Sequence, residues 1–174
     1  MAVPIVSVVG NSGVGKTTLL EKLVRELKSR GYRVAAIKHD AHNFQMDRPG
    51  KDTYRLAEAG SDVVVISAAD RLALLETVEE ERSLDDLVAM VADRVDIVLT
   101  EGYRQAAMAK IEVSRQALGN ELVASPADLM ALVTDQQFDL DVPHFGLDDA
   151  SAVADLLERR FGLTPRRRSA AARG

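Results

Sequence analysis

Residues 10–17 read GNSGVGKT and match the pattern G-x-x-x-x-G-K-[ST] at every fixed position. The glycines let the backbone turn tightly and approach a phosphate without a Cβ in the way. The amides from Gly13 to Thr18 would form a nest for an anion, reinforced by the N-terminus of the following helix. Lys16 would bring its charge to the β- and γ-phosphates, and the hydroxyl of Thr17 would bind Mg²⁺. The stretch therefore predicts a nucleotide site and not a glycine-rich turn that binds nothing.

The predicted nucleotide-binding residues of this loop are consecutive: Asn11, Ser12, Gly13, Val14, Gly15, Lys16, Thr17 and Thr18. A magnesium–nucleotide site also needs a carboxylate, and Asp96 and Glu101 flank the predicted strand 97–100. An extended strand separates them by ~16 Å, so both cannot serve one ion. Ligands of parallel α/β sheets bind beyond the carboxyl ends of the strands.

This rule selects Glu101 as the magnesium ligand. The predicted catalytic residues are Glu101 and the loop lysine, Lys16. Glu101 could instead position a water molecule or act as a base. Asp96 is expected to be a solvated residue at the entry of the strand.

Residues 37–60 begin where a second predicted strand ends, and they are dense in phosphate and metal ligands. From this stretch we add His39, Asp47 and Lys51 to the predicted nucleotide-binding residues. His39 and His42 are three positions apart, as metal ligands often are, although a histidine pair without a third ligand is more often structural or phosphate-facing. The other interpretation is a polar surface loop, with a turn at residues 49–50.

Apolar runs alternate with helical patterns along the chain and place these residues at the ends of strands. Strands are predicted at 5–9, 34–37, 97–100, 110–113 and 130–134, and the longest helices at 17–30 and 148–161. Shorter helices are predicted to end near residue 59 and to start at Ser83. We predict an α/β fold of the P-loop NTPase type, with a doubly wound, mostly parallel sheet and helices on both faces. Two β-like runs, 63–67 and 72–77, predict a hairpin, and their apolar edge predicts a homodimer.

Composition restricts the class of partner. Four of the 22 basic residues lie in the last nine positions, and all 27 acidic residues lie before them, so the body of the chain would repel nucleic acid. The chain has no cysteine, which excludes disulfides and thiolate metal sites and suits the cytoplasm. No apolar run could span a membrane. One domain, residues 1–164, and a basic tail, residues 165–174, are expected.

Three blocks of the sequence resemble, in the same order, blocks of the molybdopterin-guanine dinucleotide biosynthesis protein B family: GNSGVGKTTLLEKLV, IKHDAHNFQMDRPGKDTYRLAEAGSDVVVIS and DIVLTEGYRQAAMAKIEV. The middle block is the most specific, because it matches K-H-x-x-H-x-F-x-x-D-x-P-G-K-D-[ST] over residues 38–53. The resemblance implies a homodimeric GTP- and Mg²⁺-binding protein with weak GTPase activity. It also implies an adapter for the nucleotidyltransferase that joins GMP to molybdopterin, and molybdopterin is a further candidate ligand. The family's phosphate residues correspond to Gly13, Gly15, Lys16, Thr17 and Thr18, and its strand-end acid to Glu101.

The usual guanine-reading motif N-K-x-D does not occur in the sequence. Asp135 follows a predicted strand, and its carboxylate could accept the N1 and N2 hydrogens of guanine. It could equally be a solvated acid at a strand end. Asn11 stands where partition-type ATPases carry a second lysine, which argues against that class.

Two other functions use the same scaffold. A small-molecule kinase would need an arginine-bearing lid, for which Arg48 and Arg55 are candidates. A metal-delivery GTPase would use His39 and His42, but without cysteine its ligand set is thin. The adapter is the interpretation that the motifs favour, with slow GTP hydrolysis at most.

Overall fold

The computed structural model describes residues 2–40 and 44–165 of the 174-residue chain. The chain divides into two compact units, one formed by Met1–His39 with Val88–Gly174 and the other by Asp40–Leu87. The domain boundary at residue 164 stays a prediction. The basic tail, apart from Pro165, lies outside the described residues.

The elements follow one another in this order: β1 (Ile5–Val9), α1 (Lys16–Ser29), β2 (Val34–Lys38), α2 (Asp52–Glu58), β3 (Val63–Ser67), β4 (Leu72–Glu76), α3 (Leu84–Ala89), β5 (Ile97–Glu101), β6 (Ala109–Ser114), a 3-10 turn (Gln116–Leu118), β7 (Leu129–Thr134), β8 (His144–Phe145) and α4 (Ala150–Phe161). Six of the strands form one sheet in the order β2-β5-β1-β6-β7-β8. All neighbouring strands in it are parallel. The predicted α/β fold with a mostly parallel sheet is confirmed.

Helices α1 and α4 pack together on one face of the sheet. Leu19, Leu23 and Leu27 of α1 are buried with Val153 and Leu157 of α4, against alternate residues of β1, β5, β6 and β7. Burying one such side chain contributes about 1.5–3 kcal/mol. This apolar layer fixes the start of α1 at the carboxyl end of β1.

The opposite face of the sheet carries buried charges. Lys110 is 1% exposed, and its ammonium donates to the carboxylate of Asp128 at 2.7 Å. Glu112, also 1% exposed, accepts the backbone amides of Val123 at 2.7 Å and Ala124 at 2.8 Å. A buried charge is tolerated only when it is paired or hydrogen-bonded. These contacts therefore hold the segment 123–128 on β6.

The expectation that Asp96 is solvated is wrong. Asp96 does stand just before β5, but it is 8% exposed, and its carboxylate accepts the backbone amide of Arg33 at 2.8 Å and the Arg33 guanidinium at 3.1 Å. Arg33 precedes β2, the neighbour of β5. The carboxylate is buried because it accepts hydrogen bonds from the residue that leads into the adjacent strand.

The second unit contains α2 and the antiparallel hairpin β3–β4. The predicted hairpin is confirmed, with Val65 paired to Leu74. Much of its apolar surface is exposed in the single chain: Val63, Val65, Ile66, Leu72 and Leu74.

The local start and stop signals agree with the structure. The hydroxyl of Ser83 caps α3 by accepting the amide of Asp86 at 3.1 Å. Gly31 and Gly162 take left-handed conformations just after α1 and α4. Strand β8 and the 3-10 turn were not predicted. Within residues 2–40 and 44–165, no helix has both the length and the apolar character that a membrane crossing requires.

Candidate functional site

The loop between β1 and α1 needs glycine at its first position. Gly10 has φ 140°, and a Cβ there would lie 2.3 Å from the carbonyl oxygen of Val113 in β6. Gly15 caps α1 with φ 102°, and no side chain among the described residues caps this helix end. The first amides of α1 are therefore open to an anion from outside the chain.

Lys16 begins α1 and turns back over the loop, where its ammonium donates to the carbonyl of Asn11 at 2.9 Å. Burial lowers the pKa of Lys16, and the nearby charges of Arg104 and Lys38 act in the same direction, while Glu101 opposes them. A partly desolvated cation with cationic neighbours is stabilised by an anion. This is the electrostatic environment that a phosphate site requires.

Thr17 and Glu101 come together at the carboxyl edge of the sheet. The hydroxyl of Thr17 donates to the Glu101 carboxylate at 2.8 Å, although 84 positions separate the two residues. Glu101 ends β5, which pairs directly with β1. A hydroxyl and a carboxylate oxygen at this distance form the hard-oxygen ligand pair that suits Mg²⁺.

The other predicted loop residues have different surroundings. Asn11 donates its side-chain amide to the carbonyl of Glu121 at 3.2 Å. Val14 is 3% exposed and belongs to the core, so only its backbone could face a ligand. Ser12, Gly13 and Thr18 are exposed.

Two arginines at the loop were missed by the sequence analysis. Arg104 donates to the carbonyl of Gly10 at 2.8 Å, and Arg115 donates to the carbonyl of Val14 at 3.1 Å. Both follow the carboxyl end of a strand next to β1, namely β5 and β6. The rule that selected Glu101 could therefore have selected them as well.

His39 follows β2, and its ring lies against that of Tyr103, with the ring centroids 5.0 Å apart. His42 lies outside the described residues, so the histidine pair stays a prediction. Within residues 2–40 and 44–165, no three histidine, cysteine or acidic side chains gather as metal ligands.

Asp47 and Lys51 belong to the second unit. The Asp47 carboxylate accepts the amide of Arg48 at 2.8 Å, and the amide of Lys51 donates to the carbonyl of Arg48 at 3.2 Å. Together these contacts form the turn that leads into α2, where Asp47 is half-buried and Lys51 is exposed.

Asp135 immediately follows β7. Its carboxylate accepts the amide of Gln116 at 2.7 Å, which joins it to the 3-10 turn after β6. Beside it, Gln136 donates to the hydroxyl of Ser114 at 2.8 Å and to the carbonyl of Gly119 at 2.9 Å. The segments after β6 and β7 thus form one hydrogen-bonded edge, where a carboxylate still has acceptor capacity for a ligand.

Comparisons with known proteins agree with this architecture. A protein from Haemophilus influenzae named molybdopterin-guanine dinucleotide biosynthesis adapter protein is 38% identical over 158 residues, which cover 90% of this chain and 88% of that protein. An Escherichia coli protein of the same name is 34% identical over 160 residues, covering 89% and 91% of the two chains.

Solved structures are similar as well. A crystal structure of molybdopterin-guanine biosynthesis protein B superposes with a TM-score of 0.70 at 28% identity, over 90% of this chain and 99% of the other. The Bacillus subtilis MobB structure gives a TM-score of 0.70 at 25% identity, covering 94% and 99%. Residues 5–135 match the family described as molybdopterin guanine dinucleotide synthesis protein B, MobB, and the chain belongs to this family.

Proposed function

We propose that this chain is a GTP-binding adapter of molybdenum cofactor biosynthesis, acting with the nucleotidyltransferase that joins GMP to molybdopterin. The observation that carries the nucleotide half of the proposal is the 2.8 Å contact of Thr17 with Glu101 beside the ammonium of Lys16. The names of the relatives support the adapter half.

The loop residues would bind the phosphates of GTP. The open amides at the start of α1 and the charge of Lys16 would contact the phosphate oxygens. Thr17 and Glu101 would hold Mg²⁺, which neutralises phosphate charge when it is bound.

Hydrolysis by this site is expected to be slow. The Glu101 carboxylate accepts the Thr17 hydroxyl, and in this proposal it would bind the magnesium ion. A carboxylate engaged there is poorly placed to orient an attacking water. Slow turnover suits a protein that uses GTP to hold a conformation for a partner.

Guanine recognition is proposed for Asp135. A carboxylate that receives two N–H donors from guanine would face an acceptor in adenine, which leaves the carboxylate desolvated and unpaired. The contact of Asp135 with the Gln116 amide holds the carboxylate in one orientation, which supports this proposal.

A homodimer is proposed through the β3–β4 hairpin. Its exposed apolar side chains and its short strands, of five residues each, would gain burial from a second copy.

Calorimetric titration of the full chain with GTP and with ATP in Mg²⁺ tests the nucleotide half. Lys16→Ala should weaken GTP binding roughly 10- to 150-fold, because a charged hydrogen bond contributes about 1.5–3 kcal/mol. Lys28→Ala is the matched control, since Lys28 is exposed in the last turn of the same helix.

A folded Lys16→Ala protein that binds GTP as tightly as wild type would refute the loop assignment. A wild-type preference for ATP would favour the kinase alternative. The adapter half is tested by light scattering of the chain mixed with the nucleotidyltransferase and GTP. A mixture that gives only the separate masses contradicts it.

A further inference from the structure

The backbone makes a strained turn immediately after Glu101. Gly102 has φ 98° and Tyr103 has φ 52°. Among residues 2–40 and 44–165, Tyr103 is the only residue other than glycine with a positive φ. A bulky L-residue in the left-handed region is disfavoured by its own Cβ, and such conformations persist where the surroundings enforce them, often at ligand sites.

Contacts from β1 and from the residue after β2 stabilise this turn. The hydroxyl of Ser7 in β1 donates to the carbonyl of Gly102 at 2.6 Å. The backbone amide of His39, just after β2, donates to the carbonyl of Glu101 at 3.0 Å, and the His39 ring contacts that of Tyr103. A Cβ at Gly102 would lie 3.3 Å from that of His39, which is a tight contact, and the φ of 98° at this position also favours glycine.

The turn directs the next side chain onto the nucleotide loop. Arg104 donates through Nη2 to the carbonyl of Gly10 at 2.8 Å, next to the carbonyl of Asn11 that the Lys16 ammonium contacts at 2.9 Å. A guanidinium has several N–H donors in a planar fork, and its other donors can serve a ligand at the same time.

Positive charge is concentrated at this end of the loop. Arg104 and Lys38 both lie close enough to Lys16 to lower its pKa, and Glu101 is the carboxylate that acts against them. The three cationic side chains outnumber the one carboxylate, so this cluster of charges suits a multiply charged anion. Lysine at the position of Lys16 reaches the β- and γ-phosphates of a nucleotide.

We propose that Arg104, delivered by the Gly102–Tyr103 turn, contacts the γ-phosphate of the bound nucleotide and so makes the site prefer GTP over GDP. The inference rests on the proposed GTP binding. The alternative is a purely structural role, called a brace here, in which Arg104 only donates to the Gly10 carbonyl and stabilises the loop. A brace would support all nucleotides equally, whereas a γ-phosphate contact exists only with the triphosphate.

The test is a calorimetric titration of the full chain, in Mg²⁺, with GDP and with a GTP analogue that carries a β,γ-imido bridge. Arg104→Ala should weaken binding of the triphosphate roughly tenfold or more and leave GDP binding nearly unchanged. Arg104→Lys keeps the charge without the fork and should give a smaller, equally selective loss.

Arg94→Ala is the matched control. Arg94 stands three positions before β5 as Arg104 stands three positions after it, at the opposite end of the strand, and its side chain is exposed. This variant should bind both nucleotides as wild type does.

Each outcome separates the inference from the proposed function. Suppose that wild type binds both nucleotides and that the Arg104 variants keep the wild-type ratio of triphosphate to GDP affinity. The γ-phosphate contact is then refuted, whether binding is unchanged or uniformly weaker, and the proposed function stands. If wild type binds neither nucleotide, the proposed function is refuted and this inference with it. Should Arg104→Ala fail to fold, Arg104→Lys decides by the same ratio.

Discussion

Glu101 and Asp96 stand at the two ends of β5 and have different partners. Glu101 accepts the Thr17 hydroxyl, and Asp96 accepts the backbone and guanidinium of Arg33. One carboxylate therefore lies at the edge of the sheet where we propose the nucleotide binds, and the other completes a buried turn at the opposite edge.

Glu101→Gln should lower the Mg²⁺-dependent part of GTP affinity, because a neutral amide is a weaker ligand for a hard cation. Asp96→Asn should leave GTP affinity unchanged but lower the free energy of unfolding by about 1–3 kcal/mol, since a buried charged contact is lost. GTP titration with and without Mg²⁺, together with urea denaturation, measures both effects. A loss of Mg²⁺-dependent GTP affinity in Asp96→Asn but not in Glu101→Gln would contradict the placement of the ion at the carboxyl end of β5.

Asp135→Asn keeps the size of the side chain but replaces one acceptor with a donor. It should weaken GTP binding and bring xanthosine triphosphate, whose 2-position is a carbonyl, closer to or above GTP in affinity. Competition titrations of GTP, ATP and xanthosine triphosphate on both proteins give the order of preference. An order identical to wild type would show that Asp135 does not read the base.

At the scale of elements, one side chain joins the ends of α1 and α4. The guanidinium of Arg30, the residue immediately after α1, contacts Glu26 of α1 and donates to Asp155 at 2.6 Å and Glu158 at 2.8 Å in α4. Hydrogen bonds to Asp155 and Glu26 raise the pKa of Arg30 further above its usual range. The two helices that cover the core are thus linked by charge as well as by leucine and valine.

Arg30→Ala should lower the free energy of unfolding by about 1–3 kcal/mol, since several charged contacts are lost together. Arg25→Ala on the same helix should cost at most about 0.5 kcal/mol, because Arg25 makes an exposed pair with Glu21. Urea denaturation of both variants at neutral pH provides the comparison. Equal losses would mean that Arg30 does not join the helices.

The sequence identified the elements whose signals are local. The loop glycines, the run of β1 and the cap at Ser83 each lie within a few residues of the element they define. The surroundings of Asp96 could not be read in this way, because its partner Arg33 is 63 positions away. Strand β8 was missed because two residues carry no periodic pattern. The strand-end rule could have selected Arg104, but its contact with the Gly10 carbonyl depends on a turn of positive φ that no local pattern indicates.

At the scale of the whole molecule, the chain has a net charge of −5, while Lys16 in the loop after β1 has Arg104 and Lys38 as cationic neighbours. This contrast between an acidic chain and a cationic loop is what the proposed anion site would use. The apolar side chains of the β3–β4 hairpin are exposed in the single chain and form the surface that we propose for the dimer.

Light scattering at micromolar concentration should give twice the chain mass of 18.9 kDa. Val65→Lys, a charge placed on the exposed face of the hairpin, should shift the mass toward one chain, because a buried unpaired charge opposes association. Met90→Lys changes a comparably exposed apolar residue outside the hairpin and should keep the dimer mass. A monomeric wild type would refute the dimer.

The close approach of Gly10 to β6 would affect the phenotypes of mutants at this position. A Cβ there would meet the Val113 carbonyl in a central strand, so replacements distort the sheet whether or not a ligand is present. In a mutant library selected for cofactor-dependent growth, null alleles at Gly10 and at Lys16 would score alike. A Lys16 allele would carry information about the nucleotide only if its product is shown to fold and accumulate.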